Sequence, residues 1–460
     1  MPECSAGEAD NVHNTFQVRK PSPIVLSEPV QWYIFVGVLL VSVAAFGPLL
    51  SRSWFAPVHL QLLGGIIVGP WCLGLIELDL LVNAKLLEVA SEIAVIISLY
   101  AAGIKMRIPL ASQRWKAPVL LASLTMVVTI VLTALLATWL FGLSLPGALL
   151  MGAVLAPTDP VLADKIQVEH AADDDRLRQS LTGEAGLNDG TAFPFVLLAI
   201  GLCDPKLHEL GANFSTWIMV DLLWKVCGGL LFGAAAGYSL GKAILGLRST
   251  HNDKQQGAEE LLTMGLIAVV YGVALALNTY AFLAVFAAAV FLRRIEMLET
   301  PGGDNKVNPS EPVDHDGDSS THVSLLREQT AVGSALERIA QVFLVVVIGI
   351  LLSNAWLFHW RLWLFAVAMI CVIRPLAVLA TFHIKTINAP QRYLIAWFGI
   401  RGIGTVYYLA HAISLGVDKP LGQDISIIIG CCVVTITLSI AAHGTSDTPL
   451  MHWYGSRRPK

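Results

Sequence analysis

The chain has 460 residues, of which 55% are apolar and only 14% charged, with a mean hydropathy of +0.65 and a formal charge of −4. A soluble chain carries about 25% charged residues. The shortfall here is concentrated in apolar runs long enough to cross a hydrocarbon core of about 30 Å as helices. That composition excludes a soluble globular protein and defines an all-α polytopic membrane protein.

Residues 1–30 form a polar tail carrying Glu3, Glu8, Asp10, Arg19 and Lys20 with several prolines and serines, and are expected to be disordered. They contain no apolar h-region, so no cleavable signal is expected. A window of about 19 residues then places thirteen spans in the transmembrane region 31–443. They lie near 33–50, 57–78, 86–104, 117–141, 146–163, 184–202, 217–241, 260–277, 279–292, 336–353, 362–382, 393–415 and 424–442. Only Leu277 and Asn278 separate the eighth from the ninth. Segment 299–333, rich in Gly, Asp, Ser and Pro, reads as a flexible linker, and 444–460 as a short C-terminal tail. Seven cysteines, with no C-x-x-C and no paired spacing, read as small apolar residues without a disulfide or metal role.

Loop charge sets an expected orientation. With the N-terminus outside, 21 of the 30 Lys and Arg fall in or at the edges of cytoplasmic loops and six on the opposite side. The positive-inside rule therefore favours an inner-membrane protein with N outside, C inside and an odd number of spans, the linker and C-terminal tail being cytoplasmic.

Function is sought where charge has been placed in lipid, since such residues usually face a cavity on an ion or proton path. Asp159, Glu184, Asp189, Lys225, Arg374 and Arg401 qualify. The fifth span contains Ala156-Pro157-Thr158-Asp159-Pro160. Each proline removes an amide donor and clashes with a carbonyl one turn back, so the helix must open there, and the released carbonyls become candidates for holding a cation. The competing reading is a plain proline kink. The sixth span opens with Gly183-Glu184-Ala185-Gly186-Leu187-Asn188-Asp189-Gly190-Thr191. Glu184 and Asn188 share a face, whereas Asp189 is turned about 100° from Asn188. A carboxylate here holds a cation or a proton, not both. Alternatively Glu184 and Asp189 are ordinary N-terminal helix charges at the cytoplasmic mouth.

The run G-E-x-x-x-N-D, preceded by an intramembrane T-D-P, resembles the NhaP-type monovalent cation/proton antiporters of the sodium/proton exchanger family. Gly64-Gly65-Ile66-Ile67-Val68-Gly69-Pro70 is similar to that family's second-span signature and Trp397-Phe398-Gly399-Ile400-Arg401-Gly402 to its late W-F-G-x-R-G. His443-Gly444, followed by Pro449-Leu450, is similar to its terminal H-G-x-x-x-x-P-L. The resemblance implies a core domain with two crossing, discontinuous helices and a dimerisation domain, hence a homodimer. It implies that Asp189 carries the transported ion, that Thr158 and Asp159 coordinate or position it, and that Glu184 pairs with Arg374. Spans 5 and 12 fit an inverted repeat on their own account: they are seven apart and both interrupted, the latter by Gly399, Gly402 and Gly404. Two departures touch the site. Ala185 stands where the family often has a hydroxyl, and Leu99-Tyr100-Ala101-Ala102-Gly103 lacks an acidic residue common late in the third span.

The expected function is therefore exchange of a monovalent cation, Na⁺ first with Li⁺ or K⁺ as alternatives, for H⁺, one for one, serving pH homeostasis. Asp189, Asp159, Thr158 and Asn188 are the expected ion-binding set. Asp189, Asp159 and Thr158 would hold the transported Na⁺, and Arg401, Pro157 and Pro160 would support the helix breaks. The partners are the cation, the proton and the bilayer; neither a cofactor nor a nucleic acid is expected, since no P-loop and no G-x-G-x-x-G after a strand is present. Lys225 reads as a snorkelling or interhelical lysine and Glu92 as a buried, paired carboxyl. His411 and His443 are pH-sensor candidates against the ordinary reading of structurally satisfied histidines. A passive cation channel and an intramembrane aspartyl protease using Asp159 and Asp189 are the rival classes, the latter lacking G-x-G-D.

Overall fold

The structure is a computed structural model. It describes residues 57–457 except 71, 110, 164–165, 169–174, 251–257, 300–319 and 353–358, together with scattered positions between 30 and 45. The expected tail 1–30 and first span 33–50 fall largely outside the described residues. Each of the other twelve expected spans meets a helix, and no strand occurs among the described residues.

In chain order the helices are α1 (Pro57–Val68), α2 (Ala84–Lys105), α3 (Gln113–Phe141), α4 (Leu145–Leu155), α5 (Arg176–Cys203) and α6 (Trp217–Trp224 continuing as Lys225–Thr250). They continue as α7 (Ala258–Ala276), α8 (Ala281–Glu299), α9 (Ser320–Leu351), α10 (Trp360–Thr381), α11 (Ala389–Trp397), α12 (Ile403–Ser414) and α13 (Asp424–Ser456). Among the described residues, six helices are long and apolar enough to cross a membrane: α2, α3, α5, α10, α13 and the stretch Ala212–Ala243 that contains most of α6. The close eighth and ninth spans are separate helices, joined by a tight turn in which Asn278 takes a left-handed φ of 52°.

Local chemistry sets the ends. Ser144 caps α4, accepting from Gly147 N–H, and is itself held by Asp424 Oδ2, 2.7 Å from the Ser144 hydroxyl. Asp175 caps α5 through Leu177 N–H at 2.8 Å and also accepts from the Tyr454 hydroxyl. Asn388 and Gln391 form a reciprocal capping box on α11.

Four expected boundaries move. α1 stops at Val68 rather than near 78, because Gly69-Pro70 turns the chain and the amides of Leu75 and Ile76 return to Val68 O. α5 starts at Arg176, two turns before Gly183. α9 starts at Ser320, so the later part of the expected flexible linker, 320–333, is helix, while 300–319 lies outside the described residues. α13 runs on to Ser456 with Pro449 inside it, so the expected C-terminal tail is largely its last turns.

Two sets of helices meet along α2. On one side α9 lies against α1 and α2, and α8 lies against α2 and α6; on the other, α3, α4 and α5 pack together, and α12 joins α2 to α4 and α5. The glycines of the 64–70 signature serve the first set. A side-chain carbon on Gly349 of α9 would stand 2.5 Å from Leu62 O and 2.8 Å from Gly65 Cα, so the two helix backbones touch there. Gly349→Ala is expected to lose about 1–3 kcal/mol by overpacking. The effect should appear as a lower melting temperature in detergent, while Gly265→Ala, with open space around it, should melt no lower than the wild type.

Candidate functional site

Two helices too short to span a bilayer define the site. α4 has 11 residues, about 16 Å of rise, and ends at Leu155 where Pro157 and Pro160 forbid continuation; residues 156–163 are bends and turns rather than a second half-helix. The other interrupted element is α11, which ends at Trp397, followed after Phe398–Gly402 by α12. The two breaks cross.

Each break satisfies the other. Asp159 N–H donates to Ile400 O at 2.8 Å. The Asp159 carboxylate accepts Val161 N–H on Oδ1 at 2.7 Å and Ile403 N–H, the first amide of α12, on Oδ2 at 2.5 Å. Arg401 Nη1 donates to Ala156 O and Pro157 O at 2.5 and 2.8 Å, and the Thr405 hydroxyl donates to Val154 O at 3.0 Å. α13 closes the arrangement: Arg401 N–H donates to Ser439 Oγ at 2.9 Å, and the His443 ring lies 3.1 Å from the same oxygen and 3.0 Å from Trp397 O. Nδ1 of the same ring also lies 2.9 Å from Ser439 O, so the imidazole bridges Trp397 O and the Ser439 turn of α13.

These contacts bear on two expectations. At the first break Val154 O is engaged by Thr405, and Ala156 O and Pro157 O by Arg401, rather than left open for a cation. Asp159, expected beside the ion, has both oxygens occupied by backbone amides, and its placement is that of a cap on α12.

Glu184 lies in the third turn of α5, 1% exposed, and forms a bidentate pair with Arg374, with N–O distances of 2.6 and 2.8 Å. It is an internal ion pair and not a charge at the mouth. The Arg374 side chain lies against Gly399, where an added carbon would meet it at 2.7 Å, so the pair also braces the second break. Thr158 accepts from Asn188 Nδ2 at 2.7 Å, tying the first break to α5. Two π-helical turns flank this region: Leu121–Thr125 in α3, whose Ala122 O accepts the Thr191 hydroxyl, and Met369–Ile373, which ends at Arg374.

Asp189 is different from every other charge here. It is 1% exposed, and neither carboxylate oxygen has a hydrogen-bond donor among the described residues. Asn188 Oδ1 is likewise buried and without a donor. The Tyr408 hydroxyl donates to the Asp189 backbone carbonyl, and Gly404 Cα faces its Oδ1. Tyr408 and Gly404 were not singled out as site residues in the sequence; the only signal was that Gly404 is one of the glycines of the second break and Tyr408 follows it one helical turn later.

The remaining candidates lie elsewhere. Lys225 pairs with Asp221 at 2.7 Å, which also bonds His208, and sits near the Tyr280 ring. His411 bonds Glu88 at 3.0 Å, and Glu92 accepts the Tyr271 hydroxyl. The six described cysteines are all free thiols, with Cys4 outside the described residues.

Interrupted helices crossing beside a buried carboxylate are the architecture of secondary transporters. The model of the sodium/hydrogen exchanger transmembrane family matches residues 38–453, and the chain belongs to that family. It is 26% identical over 438 residues to the K(+)/H(+) antiporter NhaP of Alkalimonas amylolytica, covering 93% of this chain and 67% of that protein. It is 32% identical over 190 residues to Na(+)/H(+) antiporter 2 of Zygosaccharomyces rouxii, covering 39% and 23% respectively. The chain thus spans 23% to 67% of the length of these two curated relatives. In fold it is similar to the sodium proton antiporter MjNhaP1 of Methanocaldococcus jannaschii, with a TM-score of 0.69 at 19% identity over 92% of this chain and 98% of that one.

The two aspartates should respond oppositely to neutralisation. Asp159→Asn places an amide NH₂ against one of two backbone N–H donors and is expected to cost about 1–3 kcal/mol. Asp189→Asn removes a buried charge that has no protein donor, and should melt at or above the wild-type temperature. Thermal unfolding of both purified variants in one detergent checks this.

Proposed function

We propose that this chain exchanges a monovalent cation for a proton across the membrane, one for one, with Asp189 as the carboxylate that holds either. The observation that carries this reading is the state of Asp189: fully buried and unbonded through both oxygens, in a site where every other charge is paired or bonded. An ionised carboxylate in that setting is costly when empty. A proton or a cation removes that cost, so the site favours being loaded with one or the other. Competition at a site that is stable only when loaded couples the two fluxes.

The other residues then have positioning roles. Asp159 and Arg401 hold the two breaks together, the Glu184–Arg374 pair braces α5 against α10 and Gly399, and Asn188 carries the Thr158 bond. Asn188 Oδ1 and the Thr158 hydroxyl are the neutral oxygens available to an ion at Asp189. The small set of oxygens around one carboxylate supports Na⁺ as the first cation. K⁺ is the second reading, supported by the NhaP relative named for K(+)/H(+) antiport and by Ala185, which supplies no hydroxyl. We further propose a homodimer in the inner membrane with N outside and C inside, supported by the family resemblance and the Lys/Arg asymmetry.

An aspartyl protease needs two carboxylates sharing a water, and Asp159 is committed to two amides. A passive channel needs an open path, but Phe193, one turn beyond Asp189, packs among the rings of Tyr280, Tyr408 and His411.

In inverted vesicles, addition of Na⁺ should collapse a preformed pH gradient with the wild type and not with Asp189→Asn at matched expression. Li⁺ and K⁺ added separately rank the cations. Undiminished collapse by the variant would remove Asp189 from this role, and cation entry without proton movement would favour a channel.

A further inference from the structure

Several of the glycines that allow helices to touch in this fold face backbone. The carbons they lack would meet Val346 O at Gly65, Ala284 O at Gly233 and Ala288 O at Gly237. Gly404, the second residue of α12, is different. A carbon built there would stand 2.8 Å from Asp189 Oδ1, 3.5 Å from its carboxyl carbon and 3.7 Å from the Tyr408 ring, with no backbone atom among those three neighbours. The missing side chain at Gly404 therefore lets α12 lie directly against Asp189, the one buried carboxylate among the described residues with no donor on either oxygen. Gly402, two residues earlier, faces Asp159 Oδ2, but that oxygen is pinned to Ile403 N–H, so a side chain there breaks the cap. On the α5 side, Ala185 lies one turn before Asp189 and adds only a methyl.

We infer that Gly404 is a specificity-determining residue: by carrying no side chain it lets Asp189 Oδ1 lie back against α12, and this sets the room left on the carboxylate for an alkali cation. This rests on the antiport reading above. Asp189 Oδ1 ends a side chain that no donor fixes, so a methyl at 404 displaces it slightly without opening the crossing. The loss falls on the larger ion, which needs the space, and spares the smaller one.

The test uses the full chain in proteoliposomes, with pH-gradient collapse measured against Li⁺, Na⁺ and K⁺ concentration for wild type and Gly404→Ala. The half-saturating concentration of the largest cation that the wild type transports should rise about tenfold relative to Li⁺, the low end of what one methyl in a pocket discriminates. An unchanged ratio, or an equal loss for every cation, would assign Gly404 to helix packing and overturn the inference. If Gly404→Ala does not accumulate as folded protein, Asp189→Glu lengthens the side chain that lies against Gly404, narrows the same room and should shift the ratio in the same direction; an unchanged ratio there likewise overturns it. A wild type that moves no cation against protons removes the antiport reading itself, whereas an active wild type with an unshifted ratio removes only the role of Gly404.

Discussion

Breaking a helix inside a bilayer exposes amides and carbonyls that lipid cannot satisfy, and in this fold each of two breaks supplies the partners of the other. Asp159 takes two amides onto one carboxylate, one of them across the crossing at the start of α12, while Arg401 takes two carbonyls of the opposite segment onto one nitrogen. His443 and Ser439 hold the two ends of the second break from α13. Removing any of these groups leaves buried backbone without a partner, which gives these charged residues a structural role in the interior.

That accounting isolates Asp189. Glu184 has its arginine, Asp159 its amides, Lys225 its aspartate and Glu88 its histidine. Asp189 lies on a continuous helix, α5, held on one side by the Asn188–Thr158 bond and on the other by the Tyr408 hydroxyl on its backbone carbonyl. The backbone is fixed while the carboxylate is not, an arrangement suited to a group that must accept two different occupants without rebuilding its surroundings.

Much of this was legible in the sequence because its causes are local. Prolines 157 and 160 dictate a break wherever they fall in an apolar helix, the glycines of 399–404 permit a second, and charges in lipid mark the interior. The Glu184–Arg374 pair came from the family resemblance; in the structure the two side chains lie 2.6 and 2.8 Å apart. What sequence could not distinguish was which buried carboxylate is occupied by protein. Asp159 and Asp189 look alike as residues, and only the crossing, which brings Ile403 to Asp159 from 244 positions away, separates a cap from an open site. Helix ends were misplaced for a related reason: hydropathy follows the lipid-facing stretch, whereas α5 and α13 continue beyond it through polar turns held by Asp175, Tyr454 and Gln391.

The most direct test of competition at Asp189 is calorimetric titration of the purified protein with Na⁺ in two buffers of different ionisation enthalpy. The account predicts that binding to the wild type releases roughly one proton per cation, since occupancy by one excludes the other, and that Asp189→Asn shows neither binding nor release. Cation binding that is independent of buffer, or binding of equal strength to the variant, would contradict it.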